Sequence, residues 1–265
     1  MHGAPQDDID PIAHYRLSLE LNRWRRLGRT PRLWWRDDDA RSWTPTLDRL
    51  FDLAEGRPLA LAIVPNGDLH ALAGCLRRAA NVTVCQHGVD HVNRREPGDR
   101  PCEYLRGASV GAICAAIRSA REQMRRAGLD PAFYAPPWNQ VDDDLIAALD
   151  RVGYNVFSAE SAAPADSGLA CIGAQIDILR WTNGLARFRG SAAVLDALRR
   201  QLRERRKSGR LDAPIGFLTH HLDHDTNAWR FLNWLLPFAD QHFEWCGVAD
   251  LVEAAAQTPR RAAYA

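Results

Sequence analysis

The run Leu59-Ala60-Leu61-Ala62-Ile63-Val64 is apolar at every position and is closed by Pro65-Asn66-Gly67. A strand with one wet face alternates apolar and polar residues, so an unbroken run describes a strand covered on both faces. Such strands belong to parallel sheets flanked by helices. Further strands read as Leu33 to Arg36, Val82 to Cys85, Ala132 to Ala135, Asn155 to Ser158, Ile176 to Leu179 and Ile215 to Thr219, short runs rich in apolar residues. Between these runs lie stretches with helical spacing: Thr44-Pro45 to about Ala54, Leu69 to Ala80, Val110 to Ala127, Asp142 to Val152 and Ala192 to Lys207. Thr44 suits a helix cap and Pro45 a first turn. Strands alternating with helices, without an internal linker, predict an α/β domain whose parallel sheet closes or nearly closes into a barrel. A length of 265 residues suits one such barrel.

The ends of the chain add less. Ile12, Tyr15, Leu19 and Trp24 are spaced as a helix over 12–27, read as part of an N-terminal helical extension, 1–30, packed on the barrel domain, 31–258. Trp229 to Ala239 and Val248 to Ala256 read as closing helices, and 259–265 as a frayed tail. Residues 93–108 form a long polar loop beside the candidate site, and 162–168 a small flexible stretch. Trp34 and Trp35 belong to the core, one on each face of the first strand. The basic helix over 192–207 reads as a solvated face.

Charge removes some function classes. There are 34 basic and 33 acidic residues, so no net field draws the chain to nucleic acid or to an anionic membrane. No apolar run is long enough for a membrane span, and none resembles a secretion signal. The six cysteines contain no Cys-x-x-Cys pair and read as reduced thiols of a cytoplasmic protein.

Polar clusters fall at the carboxyl ends of five of the runs, where a parallel barrel builds its sites. Asp37-Asp38-Asp39 closes the first, three carboxylates that repel one another unless a cation or a solvated loop relieves them. His87 and His91 follow the third strand, four residues apart around Gly88. One carboxylate and two neutral imidazoles make a three-ligand set with open positions, the arrangement of a catalytic rather than a structural zinc site. Pro136-Pro137-Trp138-Asn139, Asp177 with Trp181, and His220-His221 end the other runs. Trp138 reads as a pocket wall, Asp37 as a solvated turn acid, and Asp177 as either a site acid or a structural ion-pair partner. His224 and Asp225 read as loop residues, and His14, His70 and His242 as surface or packing residues. Successive strand residues point to opposite faces, so only one of His220 and His221 faces the barrel mouth. The Leu-x-His spacing of Leu218-Thr219-His220 and the apolar register of Phe217 and Leu218 together point to His220.

Together these clusters, from about Leu33 to Leu251, resemble the polysaccharide deacetylase family, the NodB-like esterases of carbohydrate esterase family 4 type. The family's aspartate pair is matched by Asp38-Asp39, with Asp37 as a register alternative. Its His-x-x-x-His is matched by His87 and His91, and its proline-rich stretch by Pro136-Pro137-Trp138-Asn139. The family's arginine before the prolines is Ala135 here. Its aspartate-then-tryptophan motif is similar to Asp177 and Trp181, with Arg180 where an acid is common. Its Leu-x-His is matched by Leu218-Thr219-His220, with His221 in place of a common aspartate.

The resemblance implies an irregular (β/α) barrel and a hydrolase removing N-acetyl or O-acetyl groups from a carbohydrate or glycoconjugate. It implies a divalent metal ion, zinc first and cobalt or nickel as alternatives, on Asp39, His87 and His91. Asp38 is then the base and His220 the acid, with Asp177 holding a site histidine charged. Pro137, Trp138, Asn139, Trp181 and His221 would meet the substrate. Two other readings stay open: a metal-dependent amidohydrolase of a small non-sugar amide, and a non-catalytic carbohydrate-binding descendant, suggested by Ala135. A structural metal site with a fourth protein ligand is a further alternative.

Overall fold

α1 (Pro11–Arg26) begins where Asp10 accepts a hydrogen bond from the Ala13 amide, and three arginines lie in its last turn. The structure is a computed structural model and describes residues 9–160, 169–182 and 184–257. The stretch 162–168 and the tail 259–265, singled out above, lie outside the described residues.

After α1 the chain alternates: β1 (Arg32–Ala40), α2 (Pro45–Leu53), β2 (Leu59–Ile63), α3 (Leu69–Leu76), β3 (Val82–His87), α4 (Val110–Arg126) and β4 (Phe133–Ala135). A short 3-10 turn (Pro137–Asn139) leads to α5 (Asp143–Val152), then to β5 (Val156–Phe157), β6 (Ala170–Cys171) and β7 (Ile176–Asp177). A hairpin of β8 (Leu179–Thr182) and β9 (Leu185–Phe188) precedes α6 (Ser191–Ser208) and β10 (Ile215–Thr219). α7 (Thr226–His242), β11 (Glu244–Trp245) and α8 (Val248–Gln257) close the described chain. The strand order is β6-β5-β4-β3-β2-β1-β10-β7, with β11 paired to the start of β1. Every pairing in this sheet is parallel. The curled, mostly parallel sheet with helices around it is the irregular α/β barrel that the strand–helix alternation predicts.

The two faces of the sheet carry different cores. Leu33, Trp35, Leu61, Ile63 and Phe217 pack with the helix layer of α1, α2, α6 and α7. Trp34, Ala60, Ala62, Cys85, Ala135 and Leu218 fill the inside of the curl, with Val248 and Leu251 of α8. Small residues dominate this inner face, leaving room for the Trp34 indole, which donates to the Gly173 carbonyl at 3.0 Å. Gly216 is needed there: a Cβ would stand 2.4 Å from Trp34 Nε1 and 2.3 Å from the Gly173 carbonyl oxygen. Trp34 and Trp35 thus lie on opposite faces, as expected.

Several local expectations are corrected. The buried face of α1 is Ala13, Leu17, Leu21 and Trp24, while Ile12, Tyr15 and Leu19 are exposed. Leu17 and Leu21 continue the i, i+4 row that ends at Trp24, and Trp24 Nε1 reaches the Leu202 carbonyl of α6. Two basic residues of α6 are structural rather than solvated: Arg205 is buried and donates to the carbonyls of Ala213 and Pro214, and Arg206 pairs with the buried Glu20. The strand expected over 176–179 turns at Ile178 into a hairpin arm carrying Trp181. β1 runs on to Ala40, so the three aspartates lie inside the strand rather than after it.

Candidate metal centre and active site

Strand parity decides which side chains meet. Trp34, Arg36 and Asp38 of β1 turn into the curl, whereas Trp35 and Asp37 turn to the helix layer. In β10 the same rule sends Leu218 and His220 inward and Phe217, Thr219 and His221 outward. Cys85 and His87 share the inner face of β3.

Parity alone would send Asp39 outward beside Asp37. A left-handed backbone at Asp39 (φ 72°) and a shift in the β1–β2 register between Asp37 and Ala40 turn its carboxylate back into the curl. Asp39, His91, Trp138 and Asn139 are the non-glycine residues with positive φ among the described residues. All four line one cavity, of about 370 Å3. Each such residue stores about 1–3 kcal/mol, a cost that surrounding contacts must cover.

Asp39 Oδ1 lies 3.4 Å from His87 Nε2 and 3.2 Å from His91 Nε2. These three ligand atoms all lie within 4.8 Å of one another, the one such group of His, Cys, Asp or Glu among the described residues. His87 Nδ1 sits 3.0 Å from the Ala135 carbonyl, an acceptor that fixes the proton on Nδ1 and leaves Nε2 bare. Asp39 Oδ1 is buried and has no hydrogen-bond partner. A bare imidazole nitrogen and an orphaned carboxylate oxygen are donors suited to a divalent cation. Burial pushes the Asp39 carboxyl up, but His87 and His91 outweigh it and hold the group well below the usual carboxylate range. Burial pulls His87 down, and Asp38 and Asp39 outweigh that to hold it above its ordinary value. His91 is lowered, by burial and by its neighbour His87.

A residue that the sequence reading passed over holds the histidine loop. Glu103 is 3 % exposed, and its carboxylate accepts the main-chain N–H groups of Val89, Asp90 and His91. Gly88 (φ 65°) has no room for a Cβ, which would meet that carboxylate at 2.3 Å. Glu103→Ala is expected to lower metal affinity about 10- to 100-fold while the inner core stays intact, because the change frees the loop bearing His91. Metal titration of the variant checks this; unchanged affinity would show that the loop holds its shape unaided.

Asp38 is 2 % exposed and lies 3.9 Å from His87 Nε2 through Oδ2. Arg36, fully buried, spans it: Nη2 donates to Asp38 Oδ2 at 2.9 Å and Nε lies 2.8 Å from Oδ1. The same guanidinium donates to Asn139 Oδ1 and to the Ser158 carbonyl and hydroxyl. Ala135, the position of the missing arginine, is therefore not the end of the matter, since a cation reaches Asp38 from within its own strand.

His220 lines the cavity opposite, its Nδ1 3.8 Å from Asp177 Oδ1 and its ring 5.0 Å from that of Trp181. Trp181 Nε1 donates to Asp177 Oδ2. Burial raises the Asp177 carboxyl, with His220, the Leu179 amide and Trp181 pulling the other way. Trp138 lies against His91, ring centroids 4.4 Å apart.

The cavity thus gathers Asp38, Asp39, His87, His91, Trp138, Asn139, Asp177, Trp181 and His220. It does not gather Pro137, which lines a neighbouring cavity, or His221, which is 1 % exposed behind β10. The reading of Asp37 as a solvated turn acid is corrected. Asp37 is fully buried, accepts from the Thr219 hydroxyl (2.6 Å) and the His221 amide, and lies 2.5 Å from His221 Nδ1. Its direction follows from sharing a face with Trp35, whose indole donates to the same Thr219 hydroxyl.

No protein-family model matches the chain, and no curated protein sequence does. Solved structures do. A family 4 acetyl xylan esterase from Clostridium thermocellum, in complex with a cobalt ion, superposes with a TM-score of 0.53 at 12 % identity, over 84 % of this chain and 91 % of that one. A family 4 carbohydrate esterase from Streptomyces lividans, in complex with acetate, gives 0.51 at 13 % identity, over 80 % and 88 %. A peptidoglycan deacetylase mutant from Bacillus subtilis gives 0.51 at 13 % identity, over 87 % and 93 %. The chain has the fold of the NodB-like deacetylases.

Proposed function

We propose that this chain is a metal-dependent deacetylase that removes acetyl groups from an acetylated carbohydrate. The observation that carries the reading is one cavity holding the Asp39–His87–His91 group with Asp38 on one side and His220 on the other. A divalent ion bound there, zinc first, would supply Lewis-acid polarisation of the acyl carbonyl and lower the pKa of water toward neutrality. Asp38, held by Arg36 at the edge of that group, takes the proton from the attacking water. Asn139 and Gln140 donate their N–H groups back to Pro136 and Pro137, and the prolines have none. Trp138 is then the main-chain donor that this turn can offer to a developing oxyanion. His220, steered by Asp177, returns a proton to the leaving group.

Two tryptophans flank the cavity, Trp138 over His91 and Trp181 beside His220, and such aromatic walls suit the faces of sugar rings. This favours a carbohydrate over a small linear amide. The Arg36–Asp38 pair weakens the reading as a non-catalytic binder, which rested on Ala135. Among the described residues no helix is long and apolar enough to cross a membrane. The six cysteines are free, as thiols in a reducing compartment are.

Acetate release from acetylated amino-sugar oligomers and from small amides, with and without added zinc, tests the activity and separates sugar from non-sugar substrates. Elemental analysis of protein purified without chelator is expected to find one divalent ion per chain. Retention should fall as the pH drops, because His87 and His91 bind only when unprotonated and His87 holds its proton above the ordinary histidine value of 6.5. Substoichiometric metal that zinc, cobalt and nickel all fail to restore would sink the metal site and the hydrolase with it.

A further inference from the structure

The polar loop between β3 and α4 encloses a second cavity, of about 250 Å3, against the proline turn and the start of α5. Arg95, Arg100 and Arg106 line it, together with Tyr104, Tyr134 and the acids Asp99, Glu103 and Asp142. The acids are already committed. Asp99 pairs with Arg106 at 2.5 Å. The Glu103 carboxylate is taken by three main-chain N–H groups of the histidine loop. Asp142 caps α5 by accepting from the Leu145 amide, and its side chain is half exposed.

Two cations remain. The Arg95 side chain is only 17 % exposed, yet its nearest carboxylate, that of Asp142, is 3.9 Å away, and its guanidinium makes no hydrogen bond among the described residues. Arg100 has no partner among the described residues. With no carboxylate within hydrogen-bond reach, the Arg95 guanidinium keeps its donors open to a bound anion. Its paired donors match the oxygens of a phosphate or carboxylate. The Tyr104 and Tyr134 hydroxyls, 3.0 Å apart, add a neutral donor and acceptor at the wall.

We propose that this cavity is a second ligand site, which takes an oxyanion group, phosphate or carboxylate, between Arg95 and Arg100. Binding there needs neither the metal nor turnover, so its failure is distinguishable from a failure of the deacetylase reading. The oxyanion comes either from an acidic group on the saccharide that enters the metal cavity or from a separate small anion.

Calorimetric titration of the metal-free full chain with inorganic phosphate is expected to show one saturable site. Arg95→Met and Arg100→Gln should each weaken it about tenfold, while His87→Ala leaves it unchanged. Arg100 is exposed, so its variant keeps the test open should Arg95→Met fail to fold. No saturable binding, or binding that His87→Ala removes and the arginine substitutions spare, overturns the proposal. Kinetics then separate the sources. If the anion belongs to the substrate, Arg100→Gln lowers kcat/KM for a carboxylated acetyl-oligosaccharide and spares its neutral counterpart. If it is separate, phosphate alters turnover of the neutral substrate and Arg100→Gln abolishes the change. Phosphate bound with neither effect in an active preparation marks an adventitious ion only and overturns the site.

Discussion

Arg36→Met is expected to cost about 3–5 kcal/mol of stability, because it leaves the Asp38 carboxylate buried without its cation. The pair has side chains 0 % and 3 % exposed, so water cannot take the place of the guanidinium. The loss also reaches the Ser158 carbonyl and the Asn139 side chain, which Arg36 joins to the end of β1. Arg36→Lys should recover only part of this, since one ammonium cannot span the five acceptor atoms that the planar guanidinium reaches. A double variant, Arg36→Met with Asp38→Leu, should regain stability but no activity, which separates folding from chemistry. Urea unfolding of the three variants measures the effect. If Arg36→Met unfolds at the same denaturant concentration as the parent chain, Asp38 does not depend on Arg36.

The second large effect separates the two histidines at the end of β10. His220→Ala is expected to lose about a hundred- to ten-thousandfold in deacetylation rate with normal metal content, because His220 faces the cavity but is not among the ligand atoms. His221→Ala should keep far more of the rate and lose stability instead, since it strips the buried Asp37 of its imidazole. Burial pushes the Asp37 carboxyl up, yet His221 and its other partners hold it below the ordinary 3.8. A carboxylate depressed in the folded state adds stability above its unfolded pKa, and that stability drains away as pH falls through the lowered value. His221→Ala should therefore flatten the acid limb of the stability profile. A larger rate loss in His221→Ala than in His220→Ala would show that strand parity has been misassigned, and metal loss in His220→Ala would show that the residue is a ligand.

Much of this was legible because strands impose a period of two. Leu59 to Val64 announced a sheet covered on both faces, and the register of Phe217 and Leu218, taken with the Leu-x-His spacing, turned His220 inward. The same rule could have placed Arg36 beside Asp38 and Asp37 with Trp35, but three adjacent acids looked like a loop rather than the last residues of a long strand. Asp39 breaks the period through a left-handed residue, for which the sequence offers no glycine as a flag. Glu103 was invisible for another reason. Its partners are main-chain N–H groups, which leave no residue-type signature, and it acts on Val89 to His91 from a loop twelve to fourteen residues away. In α1 two apolar stripes compete, and packing against α6 chose Leu17, Leu21 and Trp24.

The placement of β1 between β2 and β10 also governs how the chain can be made. Asp37 and Thr219 are 182 residues apart in sequence but joined by a 2.6 Å hydrogen bond. At about 5–20 residues per second, the ribosome delivers β10 some 10–40 seconds after β1. Until then the central strand has one open edge, and Asp37 lacks the Thr219 hydroxyl and the His221 imidazole that it meets in the finished fold. Long-range parallel pairing of this kind is intrinsically slow to form. The nascent chain must be shielded through that interval, and slowing translation after β9 would lengthen the period in which it can aggregate.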